Sequence, residues 1–335
     1  MSRRRLRVAV LQGGRSSERD AAYDSAGPLL EALAGNGHDA IPIDVELDGR
    51  WRWNGDPVRL ETGGGLIGAD VAFPLLHGPF GEDGTVQGLL EWLDVPYVGA
   101  GVLASALCLD KLRFKELLSY AGLPQADYRP VTQERFDADP AAVLSELGAL
   151  GLPAFVKPSQ LGSSFGVSRV EQQADLTSAL GVAFEYGPAA IVEAAVTGPE
   201  IECGVVGDRD LLVSPPGELR VVRSKSGWRD QATKARRGSI QLLVPAHIPP
   251  AASERIRQLA HEVFRLTDCA GLARIDFLCD GERVLVNELN TMPGVRPTSV
   301  FSLVMEAAGL PYAKMLDRLL ELALERHARR ARYRL

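Results

Sequence analysis

Disulfide cross-links and metal-thiolate sites have little support in this sequence, which contains only four cysteines among 335 residues. Cys108, Cys203, Cys269 and Cys279 form no C-x-x-C pair and lie in apolar surroundings. Cysteines of this kind are typical of small core residues in a reducing compartment. The pattern therefore predicts neither a zinc site nor a disulfide framework.

Membrane and nucleic-acid partners are also poorly supported. The apolar stretch in MSRRRLRVAVLQGG is too short for a signal peptide, and no later segment reaches about 18 uninterrupted apolar residues. The net charge of −6 does not favour binding to nucleic acid. Arginines cluster at both ends of the chain, where they are typical of solvated termini. We expect a cytoplasmic protein with no membrane and no nucleic-acid partner.

The length and the order of the apolar segments predict an α/β protein with more than one domain. A domain usually spans about 150 residues, so two or three are expected here. LRVAVLQGG is typical of a buried parallel strand, and a helix over 25–36 and a strand near 40–43 follow it. A strand at 70–75 and a helix-then-strand pattern in VQGLLEWLDVPYVG complete an α/β unit.

Helices and strands also alternate in the rest of the chain. Helices are predicted over 110–122, 141–150, 253–267 and 312–327. Strands are predicted in PAFVKP, AAIVEAAV, EIECGVVG and RDLLVSP, with a strand pair around 280–281. A polar stretch covers 224–239, and we find no internal repeat.

A polar segment near the end of the chain, NELNTMPG, directly follows the apolar residues 284–286. Side chains in a strand alternate between two faces, so Glu288 and Asn290 point the same way. The pairing with the preceding strand decides which residues join them. A two-residue loop at 280–281 would place Asp276 and Glu288 on opposite faces, whereas an odd loop of about three residues places them together.

We prefer the second register because it also gathers the apolar side chains on the other face. It brings four polar residues together: Arg274, Asp276, Glu288 and Asn290. Their oxygens suit Mg²⁺, which prefers hard ligands, and Arg274 is suited to stabilise developing negative charge. The alternative is a surface hairpin with scattered charges, but polar groups that converge among buried strands are costly without a ligand.

Cations and backbone donors that suit nucleotide phosphates occur at three further places. Lys157 ends the apolar strand in FVKPS, where a partly buried ammonium group needs an anion. The loop GSSFG, 162–166, can present successive N-H groups to phosphate oxygens. Lys111 lies near a helix start and, taken alone, is more typical of a solvated helix residue.

Other nucleotide and catalytic signatures are missing or weak. The sequence has no G-x-x-x-x-G-K-[ST] loop and no G-x-S-x-G elbow. GAGVLA, 99–104, matches G-x-G-x-x-A but lacks the acidic residue expected about twenty residues later. GGRSSE either cradles a phosphate or only turns the chain. Of the histidines, only His77 lies in a plausible site loop, HGPFGEDG.

These motifs, in this order, resemble the D-alanine--D-alanine ligase family of the ATP-grasp enzymes over nearly the whole chain. The motifs are GGRSSE, HGPFGEDG, LDK, VKPSQLGSSFGVS, VEAAVTGPEIE, RIDF and NELNTMPG. The resemblance implies an α/β (α+β ATP-grasp) fold, with an N-terminal parallel α/β domain followed by two ATP-grasp subdomains that enclose the nucleotide. We place these three units at 1–105, 106–187 and 188–335.

The activity that the resemblance implies is the ligation of two D-alanines for peptidoglycan synthesis, with ATP and two Mg²⁺ or Mn²⁺ ions. In such a reaction the first carboxylate is phosphorylated, and the amine of the second substrate attacks the acyl phosphate. This chemistry needs positioning and charge neutralisation more than a nucleophilic side chain. The resemblance also implies a homodimer.

Site residues follow from the resemblance as well. For the nucleotide and its metal ions it implies contacts by Lys111, Lys157, Gly162, Ser163, Ser164, Glu193 in the adenine-binding linker, Glu200 at the ribose and Lys234, with Asp276, Glu288 and Asn290 as metal ligands. For the substrates it implies Glu18 and His77 at the first, Ser299 at the second, Ser163 as the lid-holding serine, and Arg274 and the Gly294 amide at the tetrahedral intermediate.

The sequence departs from the family pattern mainly around the second substrate. The mobile loop reads RDQATKA, which keeps Lys234 but has Ala235 where the lid tyrosine usually contacts Ser163. Arg296 and Ser302 replace the usual threonine and proline. Two alternatives therefore remain: a ligase that joins D-alanine to another acceptor, such as D-lactate or D-serine, and a non-catalytic ATP-binding regulator. The complete set around Asp276 argues against the regulator.

Overall fold

A mixed sheet forms the N-terminal part of the chain. The computed structural model describes residues 4–224, 228–231, 233, 236 and 238–333. The strands are β1 (Arg7–Gly13), β2 (Asp39–Val45), β3 (Trp51–Trp53), β4 (Asp56–Pro57) and β5 (Val71–Pro74), in the order β4-β3-β2-β1-β5. β1 pairs in parallel with β2 and β5, whereas β3 pairs antiparallel with β2 and β4. The helices α1 (Arg19–Gly35) and α2 (Thr85–Trp92) accompany this sheet.

The predicted parallel strands are confirmed, but two details differ from the prediction. The helix expected to begin at Ser25 begins at Arg19, and the Ser25 hydroxyl donates to the Ala21 carbonyl oxygen at 2.9 Å within the helix. The strand expected after α2 is reduced to one isolated bridge between Ala72 and Tyr97.

The middle of the chain forms an antiparallel sheet with helices. The elements are α3 (Val102–Leu109), α4 (Lys111–Tyr120), β6 (Tyr128–Thr132), α5 (Gln133–Ala138), α6 (Pro140–Gly148), β7 (Ala154–Pro158), β8 (Ser168–Val170), a 3-10 turn (Gln173–Asp175), α7 (Leu176–Phe184) and β9 (Ala189–Ala194). The strand order is β6-β9-β7-β8. The helices predicted at 110–122 and 141–150 correspond to α4 and α6.

A second antiparallel sheet occupies the C-terminal part. Its elements are β10 (Glu200–Gly207), β11 (Leu211–Val213), β12 (Gly217–Val221), β13 (Ile240–Leu243), α8 (Pro250–Leu266), β14 (Gly271–Asp280), β15 (Arg283–Asn290), α9 (Val300–Ala307) and α10 (Tyr312–Arg330). The order is β13-β12-β10-β14-β15, with β11 on β10. One face of this sheet packs against α8, where Ile201 and Ile275 meet Ile256 and Phe264.

Helix α10 connects the end of the chain to its beginning. Leu316 and Leu319 of α10 share an apolar core with Val8 of β1 and Leu29 of α1. Nearby, His38 Nε2 lies 3.0 Å from an oxygen of the buried Asp317. The N-terminal sheet is thereby packed against the C-terminal part of the chain.

The division into three domains stays a prediction. The three sheets fall into the same order along the chain as the three predicted units. However, β9 lies beyond the boundary predicted between 187 and 188, and it pairs with β6 and β7 of the middle sheet. Within the described ranges, no helix combines the length and the apolar character needed to cross a membrane.

The pairing of β14 with β15 brings the predicted polar residues together by a different route. The turn between paired Asp280 and Arg283 has two residues, not the odd number that was expected. A bulge between Asp276 and Phe277 shifts the register by one residue, so that Asp276 pairs with Glu288. A bulge puts two residues opposite one, which changes the face of every side chain beyond it. The predicted shared face is therefore correct, but the odd loop is wrong.

Candidate active site

A cavity of about 230 Å³ lies where the three sheets meet. Nine of the predicted site residues line it: Glu18, His77, Lys111, Gly162, Ser163, Arg274, Glu288, Asn290 and Gly294. Arg229, Glu82 and Arg296 also line it, although the sequence analysis did not predict a role for them. Residues that are far apart along the chain therefore converge on one polar cleft.

Three carboxylates stand side by side on one face of the C-terminal sheet, and one of them, Glu288, lines the cavity. In the register of β10, β14 and β15, Glu202 pairs with Asp276, and Asp276 pairs with Glu288. Like charges directly opposite one another destabilise a sheet, so this row requires cations. Burial raises the pKa of Asp276 to about 7, against the opposing effect of Arg274 and with a further rise from Glu202 and Glu288.

Arg274 and Asn290 form the next row of the same face. Arg274 Nε and Nη2 donate to the two oxygens of Asp276, each at 2.7 Å. The Asn290 Oδ1 atom accepts from the backbone N-H of Met292 at 2.8 Å, and an amide oxygen retains a second lone pair for a metal ion.

Two carboxylates and one amide oxygen make up the candidate metal ligands Asp276, Glu288 and Asn290. In the part of the chain that the structure describes, no group of three His, Cys, Asp or Glu side chains could hold a metal ion. The set would therefore need oxygens from a phosphate or from water to complete a shell, which is how Mg²⁺ is usually bound. The donor types and the excess of negative charge fit such an ion.

One lysine of α4 and one lysine of β7 enclose another buried carboxylate. Glu193 on β9 lies 2.7 Å from Lys115 Nζ, and its other oxygen contacts Lys157 Nζ. Burial alone would raise the pKa of Glu193, but Lys157 and Lys115 lower it to about 2. Lys115 was not predicted from the sequence, although Lys115 lies four residues after Lys111 on α4 and hence on the same helix face.

Lys111 approaches the carboxylate row from α4. Its Nζ donates to the carbonyl oxygen of Leu161 at 2.7 Å and lies 3.7 Å from Glu288 Oε2. Asp110 caps this helix by accepting from the backbone N-H of Leu112, and it also accepts from the Ser159 hydroxyl at 2.7 Å. The start of α4 is thereby fixed to the end of β7.

The glycine-serine loop adopts a strained conformation. Ser163 and Ser164 have φ values of 51° and 62°, which are costly for residues with a side chain. The Ser163 hydroxyl donates to Glu18, and a Cβ on Gly162 would lie 3.3 Å from the same carboxylate. Strain of this kind supports a functional role for the loop. Lys234, a predicted nucleotide contact, and Ala235, which stands at the usual position of the lid tyrosine, are outside the described residues.

The histidine loop holds two ionisable groups whose pKa values are shifted towards the neutral form. Burial lowers the pKa of His77 to about 4, with a contribution from Arg296. Burial also raises the pKa of Glu82 to about 8, with a contribution from Glu18. Glu82 accepts from the backbone N-H of Gly78 at 2.5 Å, which fixes the turn after His77.

In the segment after β15, the Ser299 hydroxyl lies close to the backbone. Ser299 Oγ accepts from the backbone N-H of Arg296 at 3.1 Å, and a Cβ on Gly294 would come within 3.2 Å of it. The Arg296 side chain lines the cleft, and no side chain of the described residues pairs with its guanidinium group. This end of the cleft therefore carries an uncompensated positive charge.

Glu200 and Glu202 alternate on β10 and both face Arg229. Arg229 Nη1 lies 3.1 Å from Glu200 Oε2 and 2.9 Å from Glu202 Oε1. The second oxygen of Glu202 lies 3.1 Å from Arg274 Nε. Glu202 and Arg229 were not predicted from the sequence. The alternation in EIE was the only sign of Glu202.

Comparisons with known proteins agree with the geometry. The family models described as D-ala D-ala ligase C-terminus and D-ala D-ala ligase N-terminus match residues 117–321 and 54–100. A D-alanine--D-alanine ligase from Deinococcus radiodurans is 42% identical, over 95% of this chain and 98% of its own length.

Solved structures give the same result. The VanG D-Ala:D-Ser ligase from Enterococcus faecalis has a TM-score of 0.84 at 32% identity and covers 96% of this chain and 100% of its own. A D-alanine--D-alanine ligase from Bacillus anthracis in complex with ATP has a TM-score of 0.77 at 29% identity. It covers 97% of this chain and 99% of its own.

The buried Glu193 gives the first testable prediction. Glu193→Gln should lower the free energy of unfolding by about 3–5 kcal/mol, because two buried ammonium groups then lack a counter-charge. Urea unfolding at pH 7 measures the loss. Glu116→Gln on the exposed side of α4, which breaks the surface pair with Arg113, is the control and should cost no more than about 1 kcal/mol.

The same substitution predicts a pH dependence. The folded-state pKa of Glu193, about 2, lies below its ordinary value of 4.5. Its stabilising effect should therefore be complete above pH 4.5 and decrease as the pH falls towards 2. The stability difference between the wild type and Glu193→Gln should shrink between pH 6 and pH 3. An equal difference at both pH values would contradict the ion-pair assignment.

Proposed function

Because the chain belongs to the D-alanine--D-alanine ligase family of ATP-grasp enzymes, we propose that the cleft is the active site in which two D-alanines are joined with ATP to supply peptidoglycan synthesis. The observation that carries this proposal is the row of Glu202, Asp276 and Glu288 facing Lys111 and the glycine-serine loop. A carboxylate row beside cations and backbone donors suits a nucleotide with its metal ion better than it suits a neutral ligand.

Phosphoryl transfer activates the first substrate. The γ-phosphoryl group moves to a carboxylate oxygen of the first D-alanine, which gives an acyl phosphate and ADP. The amine of the second D-alanine then attacks the carbonyl carbon, and phosphate leaves as the peptide bond forms. No side chain has to act as a nucleophile, so the enzyme acts by positioning and by neutralising charge.

The nucleotide contacts are proposed from the placement of the side chains. Lys111, Gly162 and Ser163 line the cavity and would contact the phosphates, and Ser164 and Lys157, which pairs with Glu193 of the 189–194 strand, would join them. Glu193 itself is engaged by lysines, so an adenine contact here would use the backbone. Glu200 would hold the ribose. A contact by Lys234 stays a prediction.

The metal ligands are proposed as Asp276, Glu288 and Asn290. One or two Mg²⁺ or Mn²⁺ ions bound there would neutralise phosphate charge during transfer. Lys111, 3.7 Å from Glu288, limits the negative charge of the row. Arg274 does the same for Asp276 and keeps three N-H groups that are not donated to that carboxylate.

The remaining residues would hold the organic substrates. Glu18, fixed by Ser163, lies where the ammonium group of the first D-alanine would be received, and neutral His77 borders the same end. Arg274 and the Gly294 amide would stabilise the negative charge of the tetrahedral intermediate. Ser299 would contact the carboxylate of the second substrate. The homodimer and the cytoplasmic location stay predictions.

One observation favours a second candidate function, the ligation of D-alanine to a different acceptor. Arg296 provides an uncompensated cation beside Ser299 and His77, in a chain that has Ala235 at the usual tyrosine position. A guanidinium group can bind a carboxylate through paired hydrogen bonds. An acceptor with a second polar group is compatible with this arrangement, and one similar structure is a D-Ala:D-Ser ligase.

Phosphate release distinguishes the two candidates. With ATP, Mg²⁺ and D-alanine as the sole amino acid, we expect phosphate release together with D-alanyl-D-alanine detected by mass spectrometry. D-serine or D-lactate added to the same mixture should then compete weakly. Turnover that requires an added acceptor would reject the first function and support the second, and Asp276→Asn should abolish either reaction.

Arg296 gives a prediction about affinity for the acceptor. Arg296→Ala should raise the KM for the second substrate about 10- to 100-fold, since a charge-assisted hydrogen bond contributes about 1.5–3 kcal/mol. The KM for ATP should change less than about threefold, because the nucleotide contacts lie elsewhere. Arg332→Ala at the exposed end of the chain is the matched control. An unchanged acceptor KM would exclude this role.

A further inference from the structure

Glu202 is the most deeply buried carboxylate of the row on the C-terminal sheet, with 1% of its surface exposed. It stands directly opposite Asp276 across the β10-β14 pair. Burying two neighbouring carboxylates costs free energy, and an apolar side chain at residue 202 would avoid that cost. The charge at this place therefore requires an explanation beyond packing.

The contacts of Glu202 indicate what the charge does. One oxygen lies 2.9 Å from Arg229 Nη1, and the other lies 3.1 Å from Arg274 Nε. Arg274 thus donates both of its hydrogen bonds to Asp276, and Glu202 Oε2 pairs with it by charge without accepting a hydrogen bond. A buried carboxylate on the other side of the guanidinium group opposes its rotation away from Asp276, so its remaining N-H groups keep one direction.

Arg229 depends on the same carboxylate. Its guanidinium bridges Glu202 and Glu200, and its side chain is mostly buried at the edge of the cleft. Without Glu202, this cation would keep only Glu200, the proposed ribose contact. Arg229 therefore divides its charge between Glu202 and Glu200.

A comparable residue on the next strand faces away from the cleft. Glu218 of β12 is also buried, at 5% exposure, and it also pairs with an arginine two residues away, Arg220, at 2.8 Å. In the β10-β12 register Glu218 pairs with Ile201, whereas Glu202 pairs with Gly217. Because neighbouring residues in a strand point to opposite faces, Glu218 lies on the other side of the sheet.

We propose that Glu202 is a positioning residue for the ligation step, which fixes Arg274 towards the reacting carbonyl group and holds Arg229 beside it as a second cation. This role rests on the proposed ligase function. Its effect would pass through the two arginines, since Glu202 itself is separated from the substrates by their guanidinium groups.

Steady-state kinetics on the full-length protein test the proposal. Glu202→Gln should lower kcat about 10- to 100-fold, the usual effect of removing a group that orients a functional side chain. The KM values for ATP and D-alanine should change much less, because the side chains proposed to contact ATP and D-alanine remain. Glu202→Asp, which restores the charge, should recover part of kcat.

A double-mutant cycle tests whether the effect passes through Arg229. Arg229→Gln and Glu202→Gln should each lower kcat, and the double variant should lose less than the sum of the two effects, since both remove one interaction. Strict additivity of the two losses would overturn the shared role. Glu218→Gln is the control and should reduce thermal stability while leaving kcat within about twofold of the wild type.

The outcomes separate this proposal from the ligase function. Wild-type protein that forms no product from ATP, D-alanine and a pool of other acceptors overturns both. Wild-type turnover with an unchanged kcat in Glu202→Gln overturns only the positioning role. An equal loss of kcat in Glu218→Gln and Glu202→Gln would also overturn it, because the effect would then be a general loss of stability.

Discussion

The organisation of the cleft depends on the repulsion among three carboxylates that the sheet register places side by side. Glu202, Asp276 and Glu288 come from three adjacent strands and point to one face. Each would separately prefer solvent, and together they would destabilise the sheet if nothing neutralised them. The cations around the row, Arg229, Arg274 and Lys111, offset this repulsion in the absence of a nucleotide. A metal ion with phosphate would add to the same balance.

A second buried carboxylate with cationic partners lies in the middle sheet. Glu193 lies between Lys115 and Lys157, where two ammonium groups share one carboxylate and leave a net positive charge. The row on the C-terminal sheet carries net negative charge before its partners are counted. Opposite charges on the two walls of a cleft attract a ligand that has both a metal ion and an anionic chain, and this combination is found in a metal-bound nucleotide.

The sequence predicted the parts of this site that depend on local alternation. Glu288 and Asn290, two residues apart on an evident strand, were predicted to share a face, and so were Arg274 and Asp276. The odd loop was wrong because a bulge leaves no clear mark in a sequence. Glu202 and Arg229 were not predicted because their role depends on partners from distant segments of the chain, such as Asp276 and Arg274. A single carboxylate in EIE has the same local pattern whether it faces a cleft or solvent.

In the proposed function, the charges would also order the substrates along the cleft. The nucleotide with its metal ion would bind at the carboxylate row and the ammonium group of the first substrate at Glu18, so the carboxylate that accepts the phosphoryl group would lie between them. Arg274, which donates to Asp276 and pairs with Glu202, would face that interval. The acceptor would then take the remaining end, where Arg296 is the cation. The choice of acceptor would depend mainly on how its carboxylate meets Arg296 and Ser299, and this is the part of the cleft where the chain differs from the usual family pattern.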